Sequence, residues 1–385
     1  MKPANPVLSG LGTTIFEVMS RLAESHEAVN LGQGFPDDPG PDDVRRRAAE
    51  LTVDGWNQYP SMLGTPELRR AVADHAKRFY GIEADWSSEV MVTSGATEAL
   101  AASILGLTEP GDEVVLLQPL YDAYAPMVRR AGAVPRFVPL RPPEWRWDPA
   151  ELAAAFGPRT KAVVLNDPLN PAGKVVDTDE LAELAALVIE HDTYVICDEV
   201  YEHLTFDGRR HVPLMTLPGM RERTVKIGSA GKTFSLTGWK VGYLVAAPEI
   251  HRAVARAHQF LTYTTPPNLQ DAVAYGLAKD DGYFTSLASS LQRSRDRLAD
   301  GLRGLGLDVL DTAGTYFLAV DVSELDPDGD DAAFCKRLTT EAGVAAIPFS
   351  AFYETDHVRH VVRFCFCKQD ATLDEALERL ERYLS

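Results

Sequence analysis

The chain has 385 residues, of which 45% are hydrophobic and 24% are charged. A chain of this length is too long to fold around one ordinary hydrophobic core, so we expect a globular protein with two domains. The 38 basic and 56 acidic residues give a formal net charge of −18. That acidic excess argues against nucleic acid as a partner, because binding phosphate backbones needs clustered Lys and Arg.

The N-terminal stretch shows no apolar signal segment, and no apolar run approaches the length of a membrane span. The chain has no HExxH motif and no paired CxxC motif, so we expect no metal. The cysteines are not spaced like a disulfide framework, and Cys365 and Cys367 lie two apart in a predicted strand, where both should point into the core. We therefore expect a cytoplasmic protein that does not bind membranes.

Short apolar runs alternate with helix-like stretches between about residues 90 and 250. The runs are nearly continuous, as expected for strands that helices cover on both faces. This alternation predicts an α/β fold with a mostly parallel sheet flanked by helices. The predicted strands are Val90–Thr93, Val114–Leu117, Ala162–Leu165, Tyr194–Cys197, Val225–Ile227 and Tyr243–Ala246. The predicted helices include Thr97–Leu105 and Asp179–Ile189.

The pattern changes after about residue 290. A helix over Leu291–Leu305, strands at Tyr316–Val320 and Val361–Phe366, and a helix over Leu373–Leu384 predict a smaller α+β domain. We expect residues 41–290 to form the large domain and residues 291–385 the small one. Residues 1–40 are expected to join the small domain, with a structured crossing loop at residues 32–41.

The most informative segment runs from Ser229 to Tyr243 and contains Lys232 directly after a predicted buried strand. A lysine at such a position loses hydration, which lowers its pKa and frees its amine to form a Schiff base. Ser229 and Lys240 flank it at spacings from which both could reach one phosphate group. The alternative is an ordinary solvated lysine in a surface loop.

Four other predicted strands are each followed by a group that could contact one shared cofactor. Ligands of open α/β sheets bind beyond the carboxyl ends of the strands, so these groups are expected to meet there. A small-residue turn that opens a helix favours a phosphate, an aromatic ring can stack on a cofactor ring, and an amide can donate to an oxygen. Taken alone, Asn170 could be a turn residue and Asp198 a helix cap. In chain order these groups are Gly95-Ala96-Thr97, Tyr121, Asn170, and Asp198 with Tyr201.

Together these residues resemble those of class I/II aminotransferases, which are fold-type-I enzymes dependent on pyridoxal 5'-phosphate. The resemblance covers nearly the whole chain and is greatest to the kynurenine, glutamine and methionine aminotransferase branch. The segments that carry this branch resemblance are 12–16 (GTTIF), 30–37 (NLGQGFPD), 57–59 (NQY), 231–234 (GKTF) and 363–366 (RFCF).

The resemblance implies a role for each site residue. Lys232 would hold the cofactor covalently and act as general base, and Asp198 would keep the pyridine nitrogen protonated. Arg363 would bind the substrate α-carboxylate at two points, assisted by Gly34 and Asn170. The remaining implied cofactor contacts are Tyr201 and Asn170 to the phenolate oxygen, Tyr121 on the ring face, and Gly95, Ala96, Thr97, Ser229 and Lys240 at the phosphate.

Tyr59 matches a position that reaches the phosphate of a neighbouring subunit, which implies a homodimer with shared active sites. The chain departs from the family pattern at Leu169 and Ala172, beside Asn170, and at Gln118. Lys240 stands where many relatives have Arg, although lysine is usual in this branch. None of these departures removes a catalytic group, but they leave the substrate preference open.

The side-chain pocket is predicted to accept neutral amino acids such as methionine, glutamine, phenylalanine or kynurenine. No obvious fixed cation occurs in segment 258–267, where aspartate-type enzymes carry a second arginine. The aromatic residues Phe16, Tyr59, Phe260 and Tyr263 either line an apolar pocket or belong to the core or an interface. Two other functions remain open: a β-lyase acting on cysteine conjugates, and a non-catalytic cofactor-binding or regulatory protein, which the presence of every catalytic group disfavours.

Overall fold

The computed structural model describes residue 2, residues 4–355 and residues 357–385. Strands and helices alternate through most of these residues, as the sequence predicts. The strands are β1 (Val29–Asn30), β2 (Val90–Ser94), β3 (Glu113–Gln118), β4 (Val134–Arg141), β5 (Arg146–Trp147), β6 (Thr160–Asn166), β7 (Tyr194–Asp198), β8 (Thr224–Ser229), β9 (Val241–Ala246), β10 (Asp308–Val309), β11 (Phe317–Asp321), β12 (Val344–Ala345), β13 (Ile347–Pro348) and β14 (Val361–Cys365).

Helices surround these strands. They are α1 (Pro6–Ser9), α2 (Ile15–Ser25), α3 (Asp42–Asp54), α4 (Pro66–Tyr80), α5 (Trp86–Glu89), α6 (Gly95–Leu107), α7 (Tyr124–Arg130), α8 (Pro149–Ala154), α9 (Thr178–Glu190), α10 (Ala230–Thr233), α11 (Pro248–Leu261), α12 (Pro267–Leu277), α13 (Asp281–Gly304), α14 (Asp331–Arg337) and α15 (Asp370–Leu384). No helix among the described residues is long and apolar enough to cross a membrane.

The central sheet has eight strands in the order β2-β9-β8-β7-β6-β3-β4-β5. The inner pairs β8–β7, β7–β6, β6–β3 and β3–β4 are parallel, whereas β9 runs antiparallel to both of its neighbours. The interior strands are buried along almost their whole length, which explains their continuous apolar sequences. The predicted mostly parallel sheet is therefore confirmed.

Strand β4 is absent from the predicted strands because Pro135 and Pro139 interrupt its apolar pattern. Its residues from Val134 to Pro139 pair with β3, but on its other side only Leu140 and Arg141 pair with the short β5. Proline lacks an N–H donor, so a strand with one largely unpaired edge tolerates it.

Apolar side chains pack on both faces of the central sheet. One core cluster lies between the sheet and helices α6, α7 and α11, and another between the sheet and helices α3, α4 and α12. A third and larger cluster joins β3, β6 and β7 to the second sheet and to α15. The core therefore continues across the boundary between the two sheets.

The second sheet is antiparallel, with strands in the order β10-β11-β14-β13. Near it, β1 pairs in parallel with β12, so that Val29 lies opposite Val344. The N-terminal segment thus pairs with a strand from the last quarter of the chain. The domain boundaries 1–40, 41–290 and 291–385 remain predictions.

The predicted start of the long helix at Leu291 is wrong, because α13 begins ten residues earlier at Asp281. Its N-cap is Asp280, whose side chain accepts a hydrogen bond from the backbone N–H of Tyr283. The other predicted helices lie within α6, α9 and α15. Helix α9 begins with a capping box between Asp177 and Glu180.

Candidate active site

A cavity of about 310 Å³ lies beyond the carboxyl ends of the parallel strands, next to β11 and β14 of the second sheet. The fold brings nearly every predicted site residue to its wall. Tyr59 alone among the predicted site residues lies elsewhere on the described chain. The predicted residues that line the cavity are Gly34, Gly95, Ala96, Thr97, Tyr121, Asn170, Asp198, Tyr201, Ser229, Lys232, Lys240 and Arg363, together with Phe16 from the predicted side-chain pocket.

Lys232 projects from the short helix α10, whose N-cap is Ser229 at the end of β8. Its Nζ donates a hydrogen bond to the hydroxyl of Tyr316 over 2.8 Å and makes a longer contact of 3.5 Å with the carbonyl of Gly34. Burial lowers the pKa of the Lys232 amine. The amine is thus oriented by the surrounding protein and is neutral at lower pH than in water.

Asp198 ends β7 and is almost completely buried. Its Oδ2 accepts a hydrogen bond of 2.5 Å from the hydroxyl of Tyr124, while its Oδ1 has no partner among the described residues. Burial raises the pKa of the Asp198 carboxyl. A buried carboxylate oxygen without a donor is costly unless a ligand supplies one, so this atom is available to accept a hydrogen bond from a ligand in the cavity.

The N-terminus of α6 and the turn before β9 form a cradle suited to a phosphate. Gly95 has a φ of 73°, and a Cβ on Gly242 would lie only 2.5 Å from the carbonyl carbon of Gly95. The Nζ of Lys240 would lie 3.3 Å from a Cβ on Gly95, which places this cation beside the free N–H groups of the helix. Glycine at positions 95 and 242 therefore lets the two backbone segments and the lysine meet.

Arg363 lies in β14 with only 1% of its surface exposed. Its Nη1 donates to Oδ1 of Asn170 over 2.9 Å, and its Nη2 donates to the carbonyl of Gly32 over 2.8 Å. Its guanidinium carbon lies 3.9 Å from the centre of the Phe317 ring. Burial lowers the pKa of Arg363 to about 10, so the side chain remains a cation at neutral pH. Its Nε has no partner among the described residues.

The Asn170 loop is held to the end of β7 by Asn166. The Nδ2 of Asn166 donates to the carbonyl of Asp198 over 2.8 Å, and its Oδ1 accepts from the backbone N–H of Asn170 over 2.8 Å. The side chain of Asn166 therefore fixes the distance between Asp198 and Asn170.

A buried ion network lies beneath the cavity and joins the same loops. His211 contacts Asp167 and Glu199 at 2.9 Å each, and Lys226 contacts Glu199 at 3.2 Å and also bonds to Glu202. Although burial alone would lower it, the neighbouring Glu199 and Asp167 raise the pKa of His211 to about 10. The network thus places two buried cations among three carboxylates, and removing one member would leave a buried charge unpaired.

Two functional candidates were missed by the sequence interpretation, namely Tyr124 and Tyr316. Tyr124 follows Tyr121 by three residues and opens α7, so the aromatic spacing was a signal for a second ring near the site. Tyr316 was assigned to a strand, but β11 begins at Phe317 and leaves Tyr316 just before it. Nothing in a single sequence indicates that its hydroxyl meets Lys232.

Tyr59 has 81% of its surface exposed in the single chain, and Phe260 has 83%. The ring of Tyr59 packs edge-on against Tyr263, with ring centres 5.8 Å apart. Tyr59 and Tyr263 thus form an exposed aromatic pair, and neither of them nor Phe260 lines the cavity of the same chain.

Comparison with known proteins identifies the family. The family model for aminotransferase class I and II matches residues 26–380. The structure is similar to that of N-succinyldiaminopimelate aminotransferase from Mycobacterium tuberculosis, with 46% identity, a TM-score of 0.95, and full coverage of both chains. The methionine aminotransferase of Escherichia coli is 42% identical over 97% of each chain.

A third relative is the kynurenine–oxoglutarate transaminase of Dictyostelium discoideum, which is 40% identical over 97% of this chain and 94% of its own. These matches confirm the fold type, the aminotransferase activity and the cofactor class that the sequence predicts. The chain therefore belongs to the class I and II aminotransferases, enzymes that use pyridoxal 5'-phosphate.

Proposed function

We propose that this aminotransferase moves the amino group of a neutral L-amino acid, with an apolar, aromatic or sulfur-containing side chain, to a 2-oxo acid. One observation carries the proposal: the cations among the described cavity residues are Lys232, Lys240 and Arg363. The cofactor and the α-carboxylate account for all three. A distal carboxylate would then find no further cation on the cavity wall of this chain, which is unfavourable for a buried charge.

The residues present fit pyridoxal 5'-phosphate. The unpaired Oδ1 of Asp198 suits the protonated pyridine nitrogen, and the cradle of Gly95, Ala96, Thr97, Ser229 and Lys240 suits the phosphate. Tyr121, Tyr201 and Asn170 also line the cavity. Tyr121 would stack on the ring face, and Tyr201 and Asn170 would contact the phenolate oxygen. Lys232 holds the cofactor covalently.

The reaction then follows from the arrangement of these side chains. When bound, the cofactor supplies an electron sink that stabilises negative charge at the substrate α-carbon. Arg363 binds the α-carboxylate through its fork and so fixes the position of the α-carbon. Once the substrate amine has replaced Lys232 on the cofactor, the freed neutral amine of Lys232 would accept the α-proton and would then give it to the cofactor carbon to which the lysine had been bound. Asp198 balances the positive charge of the pyridine nitrogen, and Tyr124 holds its carboxylate in place.

A panel of amino donors and 2-oxo acids tests the proposed substrate class. Methionine, phenylalanine, glutamine and kynurenine are expected to react faster than aspartate and glutamate, with new amino acid and 2-oxo acid formed in equal amounts. A strong preference for aspartate, glutamate or N-succinyldiaminopimelate would contradict the neutral-substrate proposal. A cysteine conjugate in the same panel, scored for pyruvate and ammonia, measures β-elimination.

Replacing Arg363 with Lys is expected to lower kcat/KM by about 10- to 100-fold for every amino acid, because a two-point contact becomes a single-point one. The matched control is Arg297→Lys, which changes an exposed arginine that pairs with Asp374 on the protein surface. Steady-state kinetics with several donors provide the measurement. A loss confined to one donor would show that Arg363 contacts the side chain instead of the α-carboxylate.

We also propose that the active unit is a cytoplasmic homodimer in which Tyr59 reaches the phosphate of the partner subunit. The exposed aromatic group at Tyr59, Tyr263 and Phe260 supports an interface, since large exposed apolar patches are otherwise uncommon. The described cysteines are all free, as is usual in a reducing compartment.

Replacing Tyr59 with Phe is expected to weaken cofactor binding several-fold, since one hydrogen bond to a charged phosphate is lost. Retention of the cofactor on dialysis is the measurement, and Tyr275→Phe, which alters an exposed tyrosine bonded to Asp43, is the control. Sedimentation should show a dimer at working concentration. A fully active monomer would exclude the shared site.

A further inference from the structure

The hydroxyl of Tyr316 lies between the amine of Lys232 and the loop that precedes α3. It accepts a hydrogen bond from Nζ of Lys232 over 2.8 Å and donates one to the carbonyl of Gly34 over 2.7 Å. The direction of each bond is fixed, because a carbonyl oxygen can only accept. The phenol proton is therefore directed at Gly34, and an oxygen lone pair is left for the lysine.

The ring of Tyr316 is held rigidly. It is buried, and it packs edge-on against Tyr201 and Phe317 with ring centres 5.1 Å and 4.7 Å away. Its backbone carbonyl accepts a hydrogen bond from Phe366, and the preceding Thr315 is bonded through its N–H to the carbonyl of Leu204. Since both the ring and the backbone are fixed, the hydroxyl has a fixed position relative to Lys232.

The loop that Tyr316 contacts is the same loop that Arg363 contacts. Nη2 of Arg363 donates to the carbonyl of Gly32, two residues before Gly34. A Cβ on Gly34 would lie 2.9 Å from the Phe317 ring, so the loop lies flat against the second sheet. Arginine, loop, tyrosine and lysine thus form one continuous set of hydrogen-bonded groups.

We propose that Tyr316 is a positioning residue for proton transfer: it holds the free amine of Lys232 next to the α-carbon of a substrate whose α-carboxylate is bound by Arg363. The inference rests on the proposed roles of Lys232 and Arg363. The amine of Lys232 would take the proton from the α-carbon, become an ammonium and then release that proton to the cofactor carbon, while Tyr316 keeps its own proton throughout. Because one N–H of the amine is directed at Tyr316, the nitrogen lone pair points away from the tyrosine.

The variant Tyr316→Phe keeps the ring and removes only the hydroxyl. Tyr353→Phe is the matched control, because Tyr353 is another buried tyrosine whose hydroxyl donates to a backbone carbonyl, that of Leu140 at 2.6 Å. Incorporating a fluorinated tyrosine at position 316 gives a second variant that keeps both bonds but weakens the oxygen as an acceptor. It should shift each measurement in the same direction by a smaller amount.

The first measurement uses the cofactor-free protein and follows labelling of Lys232 by an amine-reactive reagent as a function of pH. An acceptor stabilises the ammonium form, so its loss should lower the pKa of Lys232 and move the labelling profile about one pH unit lower. The profile of the Tyr353→Phe control should stay unchanged. An unchanged profile in Tyr316→Phe would overturn the proposal, and this readout does not depend on which substrate the enzyme uses.

The second measurement uses the enzyme loaded with cofactor. Tyr316→Phe should lower kcat about tenfold or more with KM changed less than about twofold, since ground-state binding of the carboxylate is retained. An α-deuterated donor should show a larger isotope effect than with the unmodified enzyme, because proton transfer becomes slower. A rise in KM at constant kcat would instead show that Tyr316 acts on substrate binding through Gly34, which overturns the proposal.

Discussion

Replacing Lys232 with Ala is expected to lower kcat by at least about 10⁴-fold, because one substitution removes both the covalent link to the cofactor and the base that moves the α-proton. The position is specific, since Lys232 Nζ is the amine beside Tyr316 and Gly34. Single-turnover kinetics with methionine provide the measurement. The matched control is Lys161→Ala. Lys161 lies over the ring of Tyr194 and does not line the cavity.

A chemical experiment tests the same assignment without a variant. Borohydride should fix the cofactor on the peptide that contains Lys232, and the purified protein should be yellow. Labelling of Lys226 or Lys240 would contradict the assignment. Lys226 is a poor alternative because it is buried in ion pairs with Glu199 and Glu202, which raise its pKa although burial alone would lower it. Among the described residues, no carboxylate lies within bonding distance of Lys232. Burial lowers the pKa of its amine, so the amine becomes neutral at a lower pH than a lysine in water does.

The candidate catalytic residues could be predicted from the sequence because each lies at the end of a buried strand or shortly after it. Asp198 ends β7, and Ser229 ends β8 three residues before Lys232. Parallel strands bring their carboxyl ends to one edge of the sheet, so a one-dimensional pattern of strand and polar group is enough to place these side chains together. The Arg363 strand was predicted as well, from a short run of mostly apolar residues.

The parts that could not be predicted depend on contacts between distant segments. The hydroxyl of Tyr316 meets Lys232 across 84 residues of chain, and that of Tyr124 meets Asp198 across 74. Neither contact follows from a periodicity or a residue spacing that can be recognised in a single sequence. Strand β4 was missed for a different reason, since its two prolines are tolerated only because β5 pairs with so little of its edge.

The buried ion network ties together the loops that carry the candidate site residues. His211 joins the Asp167 loop to Glu199, and Lys226 joins β8 to Glu199 and Glu202. The loops after β6 and β7 and the strand β8 are therefore cross-linked by buried charges. We expect preorganisation of this kind to hold Asp198 and Lys232 in the positions that their proposed roles require.

Asp198 is the second position at which we expect a large effect. Replacing it with Ala should lower kcat by about 10²- to 10³-fold, by analogy with other preorganised electrostatic groups, because the pyridine nitrogen loses the charge that keeps it protonated. The cofactor should still bind, since Lys232 and the phosphate cradle are unchanged. The readouts are kcat, retention of cofactor on dialysis, and the absorbance spectrum of the bound cofactor.

Three further variants distinguish the effect of the charge of Asp198 from the effect of its packing. Asp198→Asn keeps the size and the contact with Tyr124 but removes the charge, so it should be nearly as slow as the alanine variant. Tyr124→Phe keeps the charge but removes its 2.5 Å hydrogen bond, so an intermediate loss is expected. Asp331→Asn is the control, because Asp331 is a buried carboxylate that bonds to Ser350 away from the cavity. A cofactor analogue with a methyl group on the pyridine nitrogen carries a permanent positive charge, so it should restore part of the activity of Asp198→Ala. Near-normal turnover of Asp198→Ala with the ordinary cofactor would show that another acid keeps the pyridine nitrogen protonated.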